Sequence, residues 1–251
     1  MEALSKSHQS DGIDFYDVVI MGGALSGGAT ATLLLRQNPG IRILILEKST
    51  KLSRRVGEAT VEVSAYFMGR VLGLTQYLNE SHLAKQRLRF WFTNDKVETL
   101  AEASELGPLY QVRVPSYQLD RAAFDEEVLR RAAVGGAQIV RPATITDVQL
   151  CSGKEQTVTY RDGDGTTRIV RARWIVDASG VAAILARKHG WWKSNTEHPT
   201  AAVWSRWKGV KDWDSRELAE KYPTWSRAVY ATRNTATNHV IGDGWWSWWI
   251  P

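Results

Sequence analysis

With 251 residues, 43% of them hydrophobic and 24% charged, the chain has the length and composition of an ordinary core-forming protein of one large or two small domains. Its 32 basic and 27 acidic residues leave a net charge of +5, and the basic ones are scattered rather than run together, so no nucleic-acid partner is expected. A single cysteine, Cys151, excludes an internal disulfide; with no 18-residue apolar span and no signal-peptide pattern, the expected setting is the reducing cytoplasm, away from membranes.

Met1–Ile13 is polar and reads as a loose tail. Tyr16–Met21 is a short apolar run with β-branched residues, ended by two glycines, and predicts a buried strand entering a tight turn. Ser26–Gln37, rich in Ala, Leu and Thr, predicts a helix that stops at Asn38-Pro39-Gly40. Ile41–Leu46 is a second apolar strand and ends in Glu47. Strand, glycine turn, helix, strand and acid make a βαβ unit with a parallel sheet. Such a turn presents backbone N–H groups at the positive end of a helix, where a pyrophosphate is bound, and glycines keep side chains out of the way. The three fingerprint positions hold Gly22, Ala24 and Gly27, so a methyl stands where the second glycine is expected. Glu47 occupies the place of the acid that receives a ribose hydroxyl. The plainer reading is a glycine turn in an ordinary α/β sheet.

Lys48–Arg55 reads as a basic loop, followed by Val56-Gly57-Glu58-Ala59-Thr60 and helices over about 61–72 and 75–83. Arg89–Thr93 and Tyr110–Val114 read as strands, with an unplaced polar segment between them. Ser116–Ala133 predicts a helix ended by Gly135-Gly136. From Gln138 to Val176 the period becomes two, predicting strands at 139–140, 143–150, 156–161 and 166–170, with a hairpin turn at Asp162-Gly163-Asp164-Gly165. Trp174–Val176 predicts a further buried strand running into Asp177-Ala178-Ser179-Gly180, then a helix over 181–189. Ten of the twelve tryptophans lie after Gly190, so this last third reads as an aromatic-lined region, with a second sheet starting at Thr200–Trp207. The expected organisation is a tail (1–13), a nucleotide-binding domain (14–190) with a β-rich insertion at about 138–172, and a tryptophan-rich region (191–251). His8, His82, His189, His198 and His239 show no ligand spacing, and no metal is expected.

Four segments, in order, resemble the N-terminal part of the flavin-dependent halogenases, within the wider class of flavin monooxygenase folds. They are the glycine turn with Glu47; Val56-Gly57-Glu58-Ala59-Thr60; Lys85 a few residues before Phe90-Trp91; and Trp246-Ser247-Trp248-Trp249-Ile250-Pro251, a complete W-x-W-x-I-P. Asp120-Arg121 with Phe124-Asp125, and Asp177-Ala178-Ser179-Gly180, resemble two further cofactor segments of the class. The resemblance implies an α/β, Rossmann-like FAD-binding domain with a parallel sheet, a β-meander insertion and the start of a second sheet. It implies contacts to FAD from Gly22, Ala24, Gly27, Glu47, Lys48, Gly57, Glu58, Ala59, Arg121, Asp177 and Gly180. It implies that reduced FAD, oxygen and a halide ion give hypohalous acid, which is relayed to Lys85 and halogenates a small electron-rich aromatic substrate. Trp246, Trp248, Ile250 and Pro251 would wall the flavin off from that substrate, and a separate flavin reductase would supply reduced FAD.

Each of these residues also has a plainer reading. Lys85 reads as a solvated lysine at a helix end, Glu58 as a helix N-terminal acid, Arg121 as an intrahelical partner of Asp125, and Asp177 as a helix cap. Two departures from the family stand near Lys85: Arg87, where a small residue is frequent, and Ser81-His82, where a glycine–aromatic pair is common. The family continues well past W-x-W-x-I-P, so the chain is expected to be a fragment. The competing functions are a flavin-dependent aromatic hydroxylase and an inactive FAD-binding fragment; product mass and flavin absorbance discriminate them.

Overall fold

The computed structural model describes residues 13–251 except Val112 and Pro115, so the reading of the first twelve residues as a tail lies outside the described residues. In chain order the elements are β1 (Asp14–Met21), α1 (Leu25–Gln37), β2 (Ile43–Leu46), α2 (Glu62–Tyr66) continued by a π-helical turn (Phe67–Val71), α3 (Thr75–Ser81), β3 (Leu83–Lys85), β4 (Leu88–Phe92), β5 (Ser104–Leu106) and β6 (Ser116–Gln118). They continue with α4 (Arg121–Val134), β7 (Gln138–Val140), β8 (Thr144–Gln149), β9 (Gln156–Arg161), β10 (Thr167–Asp177), α5 (Ile184–Lys188), α6 (Arg216–Lys221), α7 (Pro223–Arg227), β11 (Thr237–Gly242) and β12 (Trp245–Trp249). They group into two compact units: residues up to Arg54 with Ala122–Ala201, and Arg55–Arg121 with Ala202–Pro251. The sequence suggested one break near 190; in the structure the chain leaves the first unit after Arg54 and re-enters it at Ala122.

The first unit is built on a six-stranded sheet of order β7-β2-β1-β10-β9-β8. β7, β2, β1 and β10 run parallel, and β9 and β8 extend the sheet antiparallel. β2 reads Ile-Leu-Ile-Leu and is buried throughout, as a parallel strand covered on both faces must be. One face of β1 and β2 (Val19, Met21, Leu44, Leu46) packs on Val158, Tyr160 and Val170. The other (Val18, Ile20, Ile43, Ile45) packs on Ala31 of α1 and on Leu129 and Ala132 of α4. The β-meander therefore lengthens the parallel sheet rather than forming a separate layer. The two strands expected at 166–170 and 174–176 are one eleven-residue strand, β10. Its first half pairs with β9, while register with β1 runs on from Asp14↔Val170 to Met21↔Asp177, so nothing interrupts it.

The second unit has a four-stranded sheet of order β12-β11-β4-β5 and the pair β3-β6. One of its core clusters is Trp91, Ala103 and Val240, with Val97, Leu100, Trp213 and Trp225 packed against them. Two buried arginines, Arg89 and Arg233, share the Glu105 carboxylate; Arg233 binds it through Nε and Nη2, at 2.9 Å each. Among the described residues of 110–114 there is no strand, and the predicted start of a helix at Ser116 is strand β6. All three β6 side chains are buried and its backbone pairs with β3, so α4 begins only at Arg121. Residues 200–207 form no strand: all are exposed, leaving no buried face to hold one. The second sheet takes Thr237–Gly242 instead, and the unplaced segment before residue 110 supplies β5. No helix among the described residues is long and apolar enough to cross a membrane.

Candidate functional site

In the first unit the predicted turn is assembled at the carboxyl ends of three adjacent parallel strands, since Met21 pairs with Leu46 on one side and Asp177 on the other. Ligands in open α/β sheets bind at this end. Gly22 turns the chain with φ +108°, and its N–H donates to the Leu46 carbonyl (2.8 Å). A Cβ on Gly27 would lie 1.9 Å from the Gly22 carbonyl oxygen, so this glycine lets the helix close onto the turn. Gly28 serves a different contact, because a Cβ there would meet Val128 of α4 at 2.8 Å. Ala24 occupies the N-cap position of α1 with an ordinary φ of −71°, and its methyl caps nothing.

Glu47 is buried, and both its oxygens are engaged: Oε2 accepts from Gly23 N (2.7 Å) and Oε1 from Ser49 N (2.9 Å). The carboxylate thus fixes the glycine turn itself, a role its spacing does not reveal. Each oxygen keeps a second lone pair for a ligand hydroxyl. Lys48, next along, is exposed. Asp177 is a cap as well as a strand end. Its Oδ1 accepts from both Ser179 N (3.1 Å) and Ser179 Oγ (2.5 Å), and its Oδ2 accepts from Leu185 N (2.8 Å). Gly180 follows with φ +63° and opens a 3₁₀ turn (Gly180–Ala182).

Helix α1 has no side-chain cap and no acid in its first turn. Ala24 offers the N–H groups of that turn no side-chain acceptor, and the nearby Glu47 carboxylate is taken up by Gly23 N and Ser49 N, which suits a pyrophosphate at the helix start. The residues present fit a dinucleotide.

In the second unit, Val56–Thr60 is held along β6 and the start of α4. Leu119 N donates to Glu58 O (2.8 Å), and Arg121 Nη1 reaches the carbonyls of Val56 (3.3 Å) and Gly57 (3.2 Å). Gly57 has φ +98°, and a Cβ there would sit 2.7 Å from that guanidinium. Glu58 forms an ion pair with Arg206, and Ala59 bridges to Gln118.

Lys85 is only 1% exposed. It ends strand β3 instead of a helix, which sets aside its reading as a solvated helix-end lysine. Its Nζ donates to the Thr60 carbonyl (2.6 Å). Burial pulls its pKa down to about 8, while the Glu62 carboxylate works the other way. Glu62 itself pairs with Arg87 Nε (3.1 Å). Arg87 has φ +60°, the left-handed region that favours glycine.

Trp246 and Trp248 project from the same face of β12, with ring centroids 4.9 Å apart, and both lie against His239 of β11. Ile250 and Pro251 follow directly. His239, Gln118 and Glu62 are the residues near Lys85 that sequence reasoning missed. His239 carries no motif, and the proximity of Gln118 depends on the β3–β6 pairing that the helix prediction replaced.

Residues 15–240 match the FAD binding domain family. The chain is 26% identical to the flavin-dependent halogenase chlA of Dictyostelium discoideum, over 95% of this chain and 43% of that protein. It is 27% identical to the tetracycline 7-halogenase of Kitasatospora aureofaciens, over 94% of this chain and 44% of that protein. Its fold matches halogenase PltM in complex with phloroglucinol and FAD, with a TM-score of 0.74 at 20% identity, over 94% of this chain and 48% of PltM. The chain belongs to the FAD binding domain family, with FAD as cofactor, and is similar to flavin-dependent halogenases. It spans less than half the length of these relatives.

Proposed function

We propose that the intact protein halogenates a small electron-rich aromatic compound, with Lys85 as the residue that presents the halogen. Bound FAD, once reduced, supplies hypohalous acid from oxygen and a halide ion. The chain's own work is to bind, hold and screen. The first-turn amides of α1, with Gly22, Ala24 and Gly27, receive the pyrophosphate, and Glu47 receives a ribose hydroxyl. Gly57, Glu58, Ala59, Arg121, Asp177, Gly180 and Lys48 complete the cofactor contacts. Trp246, Trp248, Ile250 and Pro251 form the apolar wall that keeps substrate from the flavin.

The observation that carries this reading is the state of Lys85: buried, with one backbone carbonyl as its hydrogen-bond acceptor and a pKa near 8. An amine so placed is partly neutral near physiological pH, and can take up hypohalous acid by hydrogen bonding or as a haloamine. Lys85→Ala in the intact protein, supplied with bromide and a separate flavin reductase, is expected to abolish the brominated product while hypohalous acid is still trapped in solution. Undiminished bromination would remove Lys85 from the mechanism, and a product heavier by one oxygen would make the protein a hydroxylase. NADH alone, without the reductase, should leave the flavin oxidised; rapid oxidation of NADH would remove the need for a partner.

A further inference from the structure

His239 lies six per cent exposed on β11, against Trp246 and Trp248 and within electrostatic reach of Lys85, and neither the W-x-W-x-I-P motif nor the lysine motif includes it. Its ring stacks on Phe90 (centroids 4.7 Å, interplanar angle 23°) and meets Trp248 edge-on (5.2 Å). The Trp246 indole N–H donates to His239 Nδ1 (3.1 Å). An indole nitrogen only donates, so Nδ1 carries no proton, and in a neutral ring the proton sits on Nε2. That Nε2 is buried and has no hydrogen-bond partner. A buried donor left unmatched has lost its hydration with nothing in return, so such a group calls for a ligand or a water.

A matching acceptor lies on the same side of the sheet. Thr237 and His239 are two residues apart on β11 and share a face. Gln118 Nε2 donates to Thr237 Oγ1 (3.3 Å), and Gln118 Oε1 is buried without a partner. Gln118 also bridges to Ala59, next to the Thr60 whose carbonyl holds the Lys85 amine. One unmatched donor, on a histidine that feels the Lys85 charge, and one unmatched acceptor, on the strand β6 that pairs with the lysine's own strand, therefore occur within one compact unit.

We infer that His239 is a catalytic residue for halogen transfer: its Nε2–H donates to the oxygen of hypohalous acid held beside Lys85, and Gln118 Oε1 accepts that acid's own O–H. The pair suits a small neutral hydroxyl compound, which needs one donor and one acceptor. It does not suit a halide ion, which takes only donors. In the transfer step the ring carbon gains the halogen and loses its proton. The oxygen–halogen bond breaks with its electrons on oxygen, and that oxygen leaves as water with the proton from the ring. A donor on the oxygen stabilises the charge that builds there. Burial, and then the Lys85 charge, lower the His239 pKa, which keeps the ring neutral and the tautomer fixed.

This inference rests on the halogenase reading, and the test separates the two. In the intact protein with FAD, flavin reductase and bromide, the quantity measured is brominated substrate relative to hypobromous acid escaping to a 1,3-diketone trap. His239→Leu is expected to lower that ratio about tenfold, the size of one lost hydrogen bond. His239→Gln places an amide N–H near the former Nε2 and is expected to recover most of it. If Lys85→Ala abolishes product while His239→Leu leaves the ratio unchanged, the histidine proposal fails and the halogenase reading stands. If Lys85→Ala also has no effect, the reading fails and this inference with it. If His239→Gln is as impaired as His239→Leu, the ring serves packing alone and the proposal is overturned. Independently of turnover, nitrogen NMR of histidine-labelled, flavin-free protein should show His239 neutral and protonated on Nε2 at pH 7; an Nδ1–H tautomer or an imidazolium would overturn it.

Discussion

At the scale of single residues, Lys85 shows how folding and chemistry meet in one side chain. In the unfolded chain its amine titrates near the ordinary lysine value; in the fold it titrates at about 8 because water has been removed from it. Between those two values the unfolded state holds a proton that the folded state has given up, so stability rises with pH through this window. Below it, both states are charged and the fold carries the whole cost of burying the ammonium. Lys85→Met removes that cost and its pH dependence. Between pH 7.5 and 9.5 the wild type should gain about 2 kcal/mol relative to Lys85→Met in urea unfolding. A constant difference across that range would mean that the amine is hydrated. The motif spacing located this lysine in the sequence but did not reveal its burial. That comes from β6, whose strand character the helix-like pattern of 116–133 conceals. Glu47 was legible as an acid at the right distance, yet its grip on Gly23 and Ser49 depends on a turn that only coordinates display.

At the scale of elements, β1, α1 and β2 were readable because each is a local pattern: a wholly apolar strand, a glycine turn, and a helix stopped at Asn38-Pro39-Gly40. The two inner glycines of that turn have separate tasks, and substitution distinguishes them. Gly27→Ala would put a methyl 1.9 Å from a backbone oxygen that is itself fixed by the turn, and something must move. It should cost about 2–3 kcal/mol in stability and release most of the bound FAD, seen as loss of flavin absorbance after gel filtration. Gly28→Ala would press instead on a Val128 methyl at 2.8 Å, at the α1–α4 contact. Its effect should be smaller on FAD than on stability, since the strain falls between two helices and away from the turn. Equal retention of flavin by both variants would mean that the turn does not carry the pyrophosphate. β6, β11 and the length of β10 were harder to read, because in each the partner strand decides the outcome.

At the scale of the whole molecule, the alternation of segments was the least legible feature, since nothing local marks it. The second unit closes only when β11 lies beside β4, with Val240 opposite Trp91 and His239 opposite Phe90. The same closure brings Asn238 Oδ1 to the Trp91 indole N–H (3.0 Å) and Arg233 to Glu105, so that two buried guanidinium groups share one carboxylate. Removing one side of such a buried network costs about 3–5 kcal/mol. Polypeptide ending at Ala201 would lack β11, β12 and Arg233, leaving β4 with an open edge and the Trp91 indole without its acceptor. Its first unit would still hold β7, β2, β1, β10, β9 and β8 complete. Hydrogen exchange followed by mass spectrometry should therefore show β1, β2 and β10 amides protected much as in the intact protein, while 88–92 and 104–106 exchange like a frayed segment. Protection that persisted across β4 and β5 in the shortened polypeptide would mean that Arg55–Arg121 folds without its later half, and that Lys85 reaches its buried state before the tryptophan strands arrive.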